Sequence, residues 1–209
     1  MVKVKYESFG SMTNNCFIIT DIATNKSALV DCSEDSRKML DFISGFDLEY
    51  ILLTHGHFDH IEGVKTVKAL TGAKVVITKE DEGMLSSSRQ SLAAFSGAVQ
   101  NNTTADIIVK DNDVIKLGES EIKVLATPGH TSGSVCYMVD EHLFTGDTLF
   151  CCSLGRTDFP TGNPAQMVQS LKRLDALEGD YKVYPGHDEL TTLDFERKNN
   201  IDFRLLINI

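Results

Sequence analysis

Apolar and polar positions alternate or cluster in short runs from the start of the chain. Residues 2–9 alternate with a period of two, and 15–20 and 28–31 are compact apolar runs, so all three read as strands. Asn14, Asn15 and the Thr24-Asn25-Lys26 stretch supply turn chemistry between them. Ser33 suits an N-cap, and a helix over 34–44 turns Met39, Leu40, Phe42 and Ile43 inward before Gly45 stops it. The run 50–54 predicts a strand, 61–70 a helix ended by Gly72, and 74–78 another strand. Residues 79–105 carry the weakest pattern: a helix near 79–85, then a polar, Ser-rich section. β-type runs return at 107–109, 113–117, 121–126, 134–139 and 142–145. Asn163 caps a helix that starts at Pro164 and runs to 177, residues 181–184 form the last strand, and a short helix covers about 193–206.

Strands followed by helices, twice over, predict an α/β (α+β) fold. The expected form is a four-layer αββα sandwich, with two mainly antiparallel sheets face to face and helices outside. A chain of 209 residues can build one core of good size, so residues 1–209 are expected to form a single domain.

Composition changes this picture little. Hydrophobic residues make up 42% and charged residues 24%, ordinary values for a globular chain. A formal net charge of −10 and the lack of any Lys/Arg block argue against a nucleic-acid partner. The opening Met1-Val2-Lys3-Val4-Lys5-Tyr6 interleaves charges with apolar residues, unlike a signal peptide, and no run approaches the roughly 18 apolar residues of a membrane span. Five cysteines (Cys16, Cys32, Cys136, Cys151 and Cys152) are an odd set, which predicts reduced thiols and a cytoplasmic location. Most read as small buried residues. Cys151 and Cys152 are the better candidates for lining a pocket.

The chemistry concentrates in four segments. Five of the six histidines fall in Thr54-His55-Gly56-His57-Phe58-Asp59-His60, Thr127-Pro128-Gly129-His130 and Tyr184-Pro185-Gly186-His187, and Thr145-Gly146-Asp147-Thr148 adds a carboxylate. Imidazole and carboxylate suit zinc, iron or manganese. Seven such side chains are too many for one four-coordinate ion and predict two divalent ions. At a strand end, residues two apart share a side, so His55 and His57 can chelate one ion. A turn toward the following helix lets Asp59 and His60 reach a second. His130 is a further ligand candidate, Asp147 is the available bridging carboxylate, and His187 completes the second set. His142 lies outside any such setting and reads as an ordinary strand or turn residue.

Together these segments resemble the metallo-β-lactamase superfamily. Within it, Gly146-Asp147-Thr148-Leu149-Phe150, Gly155-Arg156-Thr157-Asp158 and Pro185-Gly186-His187 are similar to the glyoxalase II-like (hydroxyacylglutathione hydrolase-like) group, in a short form. The resemblance implies an αββα fold with the metals at one edge between the sheets. It implies a first site of His55, His57 and His130 and a second of Asp59, His60 and His187, with Asp147 and a hydroxide bridging. All seven positions hold the family's residue types, which argues against a pseudoenzyme. His57 stands where the flavodiiron-type branch would have Glu.

The implied reaction is hydrolysis of a 2-hydroxyacyl thioester, with zinc the expected metal and Asp59 orienting the nucleophile and carrying its proton. The alternative is a persulfide dioxygenase holding one iron through His55, His130 and Asp147; a lactonase or phosphodiesterase on the same scaffold is the third reading. Arg156 matches the family's basic position that contacts the glutathione carboxylate, whereas Asp158 stands where those enzymes have a tyrosine. Full-length glyoxalase II enzymes also carry a larger helical C-terminal region, and only 22 residues follow His187 here. The 86–102 segment reads equally as a substrate lid or a loop. The expected partner is therefore a small acyl thioester, not a nucleic acid or a membrane.

Overall fold

β1 (Val2–Phe9) and β2 (Asn14–Asp21) form the antiparallel hairpin that the alternation predicts, with Val2 opposite Asp21 and Phe9 opposite Asn14. The computed structural model describes residues 1–208. β3 (Lys26–Val30) continues the meander. From there the chain crosses over through α1 (Arg37–Ile43) to β4 (Asp47–Leu52), then through α2 (Phe58–Ile61) and α3 (Val64–Thr71) to β5 (Lys74–Thr78). A 3₁₀ turn (Glu82–Leu85) and α4 (Ala93–Ser96) lead to β6 (Ile107–Val109). The first sheet runs β1-β2-β3-β4-β5-β6.

The second sheet is built from β7 (Val114–Leu117), β8 (Ser120–Ala126), β9 (Val135–Val139), β10 (His142–Gly146), β13 (Lys182–Pro185) and β14 (Thr191–Thr192). The small hairpin of β11 (Leu149–Phe150) and β12 (Ser153–Leu154) follows β10. α5 (Pro164–Asp175), α6 (Leu193–Asn199) and α7 (Ile201–Ile207) cover this sheet.

Three apolar clusters define four layers. β2 shows why: every residue is buried, because Cys16 and Ile18 face the helices while Phe17 and Ile19 face the other sheet. The outer cluster joins Ile18, Leu29, Ile51 and Val75 to Met39, Phe42, Val64 and Val67 of the helices. The middle one joins Phe17, Ile19, Val30 and Leu52 to Val124, Tyr137 and Phe144 across the sheets. The third seals Leu125, Cys136, Leu143 and Val183 under Met167, Leu171, Leu174 and Phe203. Each such side chain contributes about 1.5–3 kcal/mol on burial.

The layer order agrees with the sequence reading, but several details do not. The first sheet is mixed, not mainly antiparallel: β3-β4, β4-β5 and β5-β6 are parallel, because each of those connections crosses over rather than turning back. The helix expected over 34–44 starts later, capped by Ser36, whose hydroxyl accepts from Met39 N. The helix expected over 61–70 starts later, as α3 at Val64, and is stopped by Gly72 as expected, with the separate short α2 before it. The two part around Gly63, where a Cβ would come within 2.0 Å of Glu34 O while Gly63 N donates to Cys32 O at 2.9 Å. The 79–85 helix reduces to the 3₁₀ turn. The C-terminal helix breaks at buried Asn200, which ends α6 and caps α7 by accepting from Phe203 N. Asn163 caps α5 as expected, accepting from Ala165 N and Gln166 N. Among the described residues no helix is long and apolar enough to cross a membrane.

Candidate metal centre

Four strand ends meet at one edge of the sandwich. His55, His57, Asp59 and His60 follow β4 in the first sheet, whereas His130, Asp147 and His187 follow β8, β10 and β13 in the second. His57 is the extended N-cap of α2, so its first turn carries Asp59 and His60 past the strand end. Gly186 is required by the approach of the loops: a Cβ there would lie 2.5 Å from Asp147 Oδ1 and 2.8 Å from His60 Cε1.

The structure brings all seven predicted side chains together as two adjoining trios. In the first, His57 Nδ1 lies 3.1 Å from His55 Nε2 and 2.8 Å from His130 Nε2. In the second, Asp59 Oδ2 lies 3.2 Å from His187 Nε2 and 3.7 Å from His60 Nε2. Asp147 stands between them, Oδ1 at 3.3 Å from His60 Nε2 and Oδ2 at 3.5 Å from His130 Nε2 and 3.7 Å from His187 Nε2.

Partners behind the rings decide which nitrogen faces inward. His130 Nδ1 donates to Arg156 O at 2.7 Å, and His187 Nδ1 donates to Met12 O at 3.0 Å. Carbonyls can only accept, so both Nε2 atoms turn lone pairs into the site. His60 Nδ1 donates to Asp31 Oδ2 at 2.8 Å with the same effect. His57 Nδ1 can give a proton to one neighbour at most, so the first trio is not satisfied by hydrogen bonds alone. The buried oxygen Asp147 Oδ1 has no donor among the described residues, nor has His57 Nε2 a partner. A buried carboxylate oxygen of that kind calls for a cation. A zinc-type ion with ligands at about 2.0–2.3 Å fits donors of this type and spacing.

Charge at the site follows from burial and neighbours. Burial pushes the His55 pKa far down, helped by the imidazoles of His60 and His57, and it takes His57 to about 3, with His130 assisting. Burial also works against a proton on His60, but Asp31, Asp147 and Asp59 outweigh it and hold its pKa well above the usual value. Asp147 is held low: His60 overcomes the opposing effect of burial. A cation must therefore displace a proton from His60. Raised pKa means the protonated form dominates below that value, so metal uptake by the stripped chain should strengthen as pH rises toward it. Competition against a chromophoric chelator checks this; an affinity independent of pH between about 6 and 9 would contradict it.

Three contributors escaped the sequence reading. Asp31, 1% exposed, accepts from Thr54 N at 2.9 Å and Thr54 Oγ1 at 2.8 Å besides holding His60. Buried Asp81 accepts from Gly56 N, Gly133 N and Thr131 Oγ1, tying together the loops that carry His55, His57 and His130. Asn14 Nδ2 lies 2.7 Å from His60 Nε2 and packs against that ring. The φ of 56° at Asp31 marks a strand end that turns sharply, a feature that the apolar run before it does not announce. Conversely, Cys151 and Cys152 do not line the cavity beside the site. They gather near Glu196, whose Oε2 accepts from Cys152 N at 2.9 Å, and neighbouring Phe150 lines the cavity instead. His142 is buried in its strand, with Nδ1 2.9 Å from Tyr184 Oη.

This fold and edge-on constellation define a metallo-hydrolase class. A match to the metallo-β-lactamase superfamily covers residues 10–187, and the chain belongs to that superfamily, whose members bind divalent metals. It is 36% identical over 193 residues to the hydroxyacylglutathione hydrolase of Maricaulis maris, covering 90% of this chain and 68% of that enzyme. It is 30% identical over 197 residues to the hydroxyacylglutathione hydrolase GloC of Haemophilus influenzae, covering 89% and 91%. These relatives are consistent with the glyoxalase II-like group, and the chain is a metal-dependent hydrolase of the superfamily. Its structure is similar to that of the BLEG-1 B3 metallo-β-lactamase, with a TM-score of 0.89 and 27% identity over 96% of this chain and 99% of that one. It is also similar to ETHE1 from Myxococcus xanthus, with a TM-score of 0.76 and 28% identity over 95% and 83%.

Proposed function

We propose that the protein is a thioester hydrolase of the glyoxalase II type, holding two divalent ions, zinc by preference. His55, His57 and His130 would bind one and Asp59, His60 and His187 the other, with Asp147 shared. The observation that supports this most is Asp147, which reaches both trios and has a buried oxygen without a donor. Divalent ions held there would supply a water acidic enough to ionise near neutral pH and would polarise a substrate carbonyl.

The chain's own groups do the rest. Asp59 faces the cavity, and in the metal-free site His60 and His187 overcome burial and keep its pKa down, so the carboxylate is ionised. It can therefore orient the attacking water and accept its proton. Neutral His55 and His57 are ready to act as ligands at neutral pH without losing a proton. Phe150, Leu154 and Phe159 flank the reaction volume and keep bulk water from the acyl carbon.

Chelation should abolish thioester cleavage and added zinc restore it, while Asp59→Ala should lower kcat by about 10²–10⁴-fold. A two-metal preparation that cleaves neither S-lactoylglutathione nor any other acyl thioester would refute the reading. The dioxygenase alternative needs only His55, His130 and Asp147, of which His130 Nε2 lies 3.5 Å from Asp147 Oδ2. It leaves His57, Asp59, His60 and His187 without a task. One iron per chain, with oxygen uptake on glutathione persulfide, would establish it instead.

A further inference from the structure

The cavity opening from the metal centre has a volume of about 900 Å³, and its wall beyond the ligands is apolar: Met12, Leu92, Phe95, Phe150, Leu154 and Phe159. That volume falls within the 300–1,000 Å³ or so that accommodates a whole small-molecule ligand, acyl group and thiol carrier together, so the character of the wall, not its size, is what discriminates. Leu92 contributes to this wall at a cost. Its φ is 69°, a left-handed conformation disfavoured for a non-glycine side chain, at the residue that precedes α4. Phe95, one turn on, stands at the mouth 74% exposed, and Met12 is 55% exposed on the opposite loop. Large apolar side chains held at a rim rather than tucked into the core indicate an apolar ligand.

Charge argues the same way. Among the described residues, Arg156 is the one Lys or Arg lining this cavity, and it is already engaged. Asp158 takes its Nε at 2.6 Å and its Nη2 at 2.7 Å, a bidentate pair, and the guanidinium carbon lies 4.0 Å over the Phe159 ring. Both side chains are exposed, at 57% and 67%, so the pair offers an incoming carboxylate a partly neutralised cation.

Building on the thioesterase reading, we propose that the substrate is an acyl thioester whose acyl chain is uncharged, apolar and of medium length. The chain lies along Leu92, Phe95, Phe150 and Phe159, and Asp158 selects against an anionic thiol carrier such as glutathione by occupying Arg156. The bond broken is the thioester C–S bond; water supplies the hydroxyl of the released acid and the proton of the released thiol.

The test uses the metal-loaded full chain with straight-chain acyl thioesters of N-acetylcysteamine, from acetyl to octanoyl, alongside S-lactoylglutathione. kcat/KM should climb about three- to four-fold per added methylene until the cavity is full, the increment expected for burying one CH₂ group. Octanoyl should exceed S-lactoylglutathione by at least about tenfold. Asp158→Ala should shift that ratio toward the glutathione thioester by about tenfold, and Phe95→Asp should flatten the chain-length series. Ratios within one preparation cancel differences in folding or metal content. A flat series, or S-lactoylglutathione as the better substrate of the unaltered chain, overturns this assignment and leaves the thioesterase standing. Cleavage of no thioester overturns both.

Discussion

If the chain holds the two ions proposed, an Asp147→Ala variant is expected to lose at least one of them and roughly 10²–10³-fold or more in kcat. The carboxylate is in contact with both trios, reaching His60 through Oδ1 and His130 and His187 through Oδ2. Two cations placed side by side repel, and an anion between them offsets that repulsion in a buried setting where solvent screens little. Alanine leaves the six other donors in place but removes this charge. The effect should therefore appear first as metal stoichiometry, read by elemental analysis on freshly purified protein, and then as rate. Asp147→Asn sharpens the test, because it keeps the shape of the side chain and the contact with the Gly186 loop while deleting the charge. If the asparagine variant retains two ions and activity within tenfold of the parent, Asp147 is not the bridge.

The seven candidate donors could be picked out in the sequence because each of their four segments follows an apolar strand. A run such as 50–54 fixes where the chain must surface at the sheet's edge, and the histidines begin at that point. Legibility also came from number: one imidazole in a turn means little, whereas seven donors in four segments constrain one another. The layer order followed from strands buried on both faces, of which β2 is the clearest. What the sequence concealed depends on contacts between segments. Gly63 separates α2 from α3 where Glu34 O lies against it, a contact made across 29 positions that no local pattern reports. Parallel pairing of β3, β4 and β5 arises from where the crossover helices return, not from the strands' own alternation. Asp81 sits in the weakly patterned 79–105 stretch and ties two ligand loops together through hydrogen bonds to Gly56, Thr131 and Gly133. Arg156 reads as a ligand contact from its position, and that position does not report the bidentate pair it makes with Asp158, two residues away.

Asp31→Ala should destabilise the protein by about 3–5 kcal/mol, the usual cost of removing one member of a buried, hydrogen-bonded charge pair. In a chain of this size that corresponds to a fall in Tm of about 10 °C. The carboxylate is fully engaged: Oδ1 accepts from Thr54 N, and Oδ2 accepts from Thr54 Oγ1 and His60 Nδ1. Alanine would orphan a backbone N–H and an imidazole N–H in a region closed to water. The same substitution acts on the metal centre from behind. Without Asp31, nothing on the Nδ1 side holds the His60 ring with Nε2 toward Asp59 and Asp147, and loss of such a supporting carboxylate typically weakens metal binding 10–100-fold. Asp31→Asn separates the two effects. With its amide oxygen toward Thr54 N it keeps that bond, so part of the stability should return, but its NH₂ then faces His60 Nδ1–H, a donor against a donor, and should leave metal affinity depressed. Thermal unfolding and metal competition, run on both variants, read the two quantities independently. A pair of variants with parental metal affinity would show that the orientation of His60 is set by Asn14 and the α2 backbone rather than by Asp31.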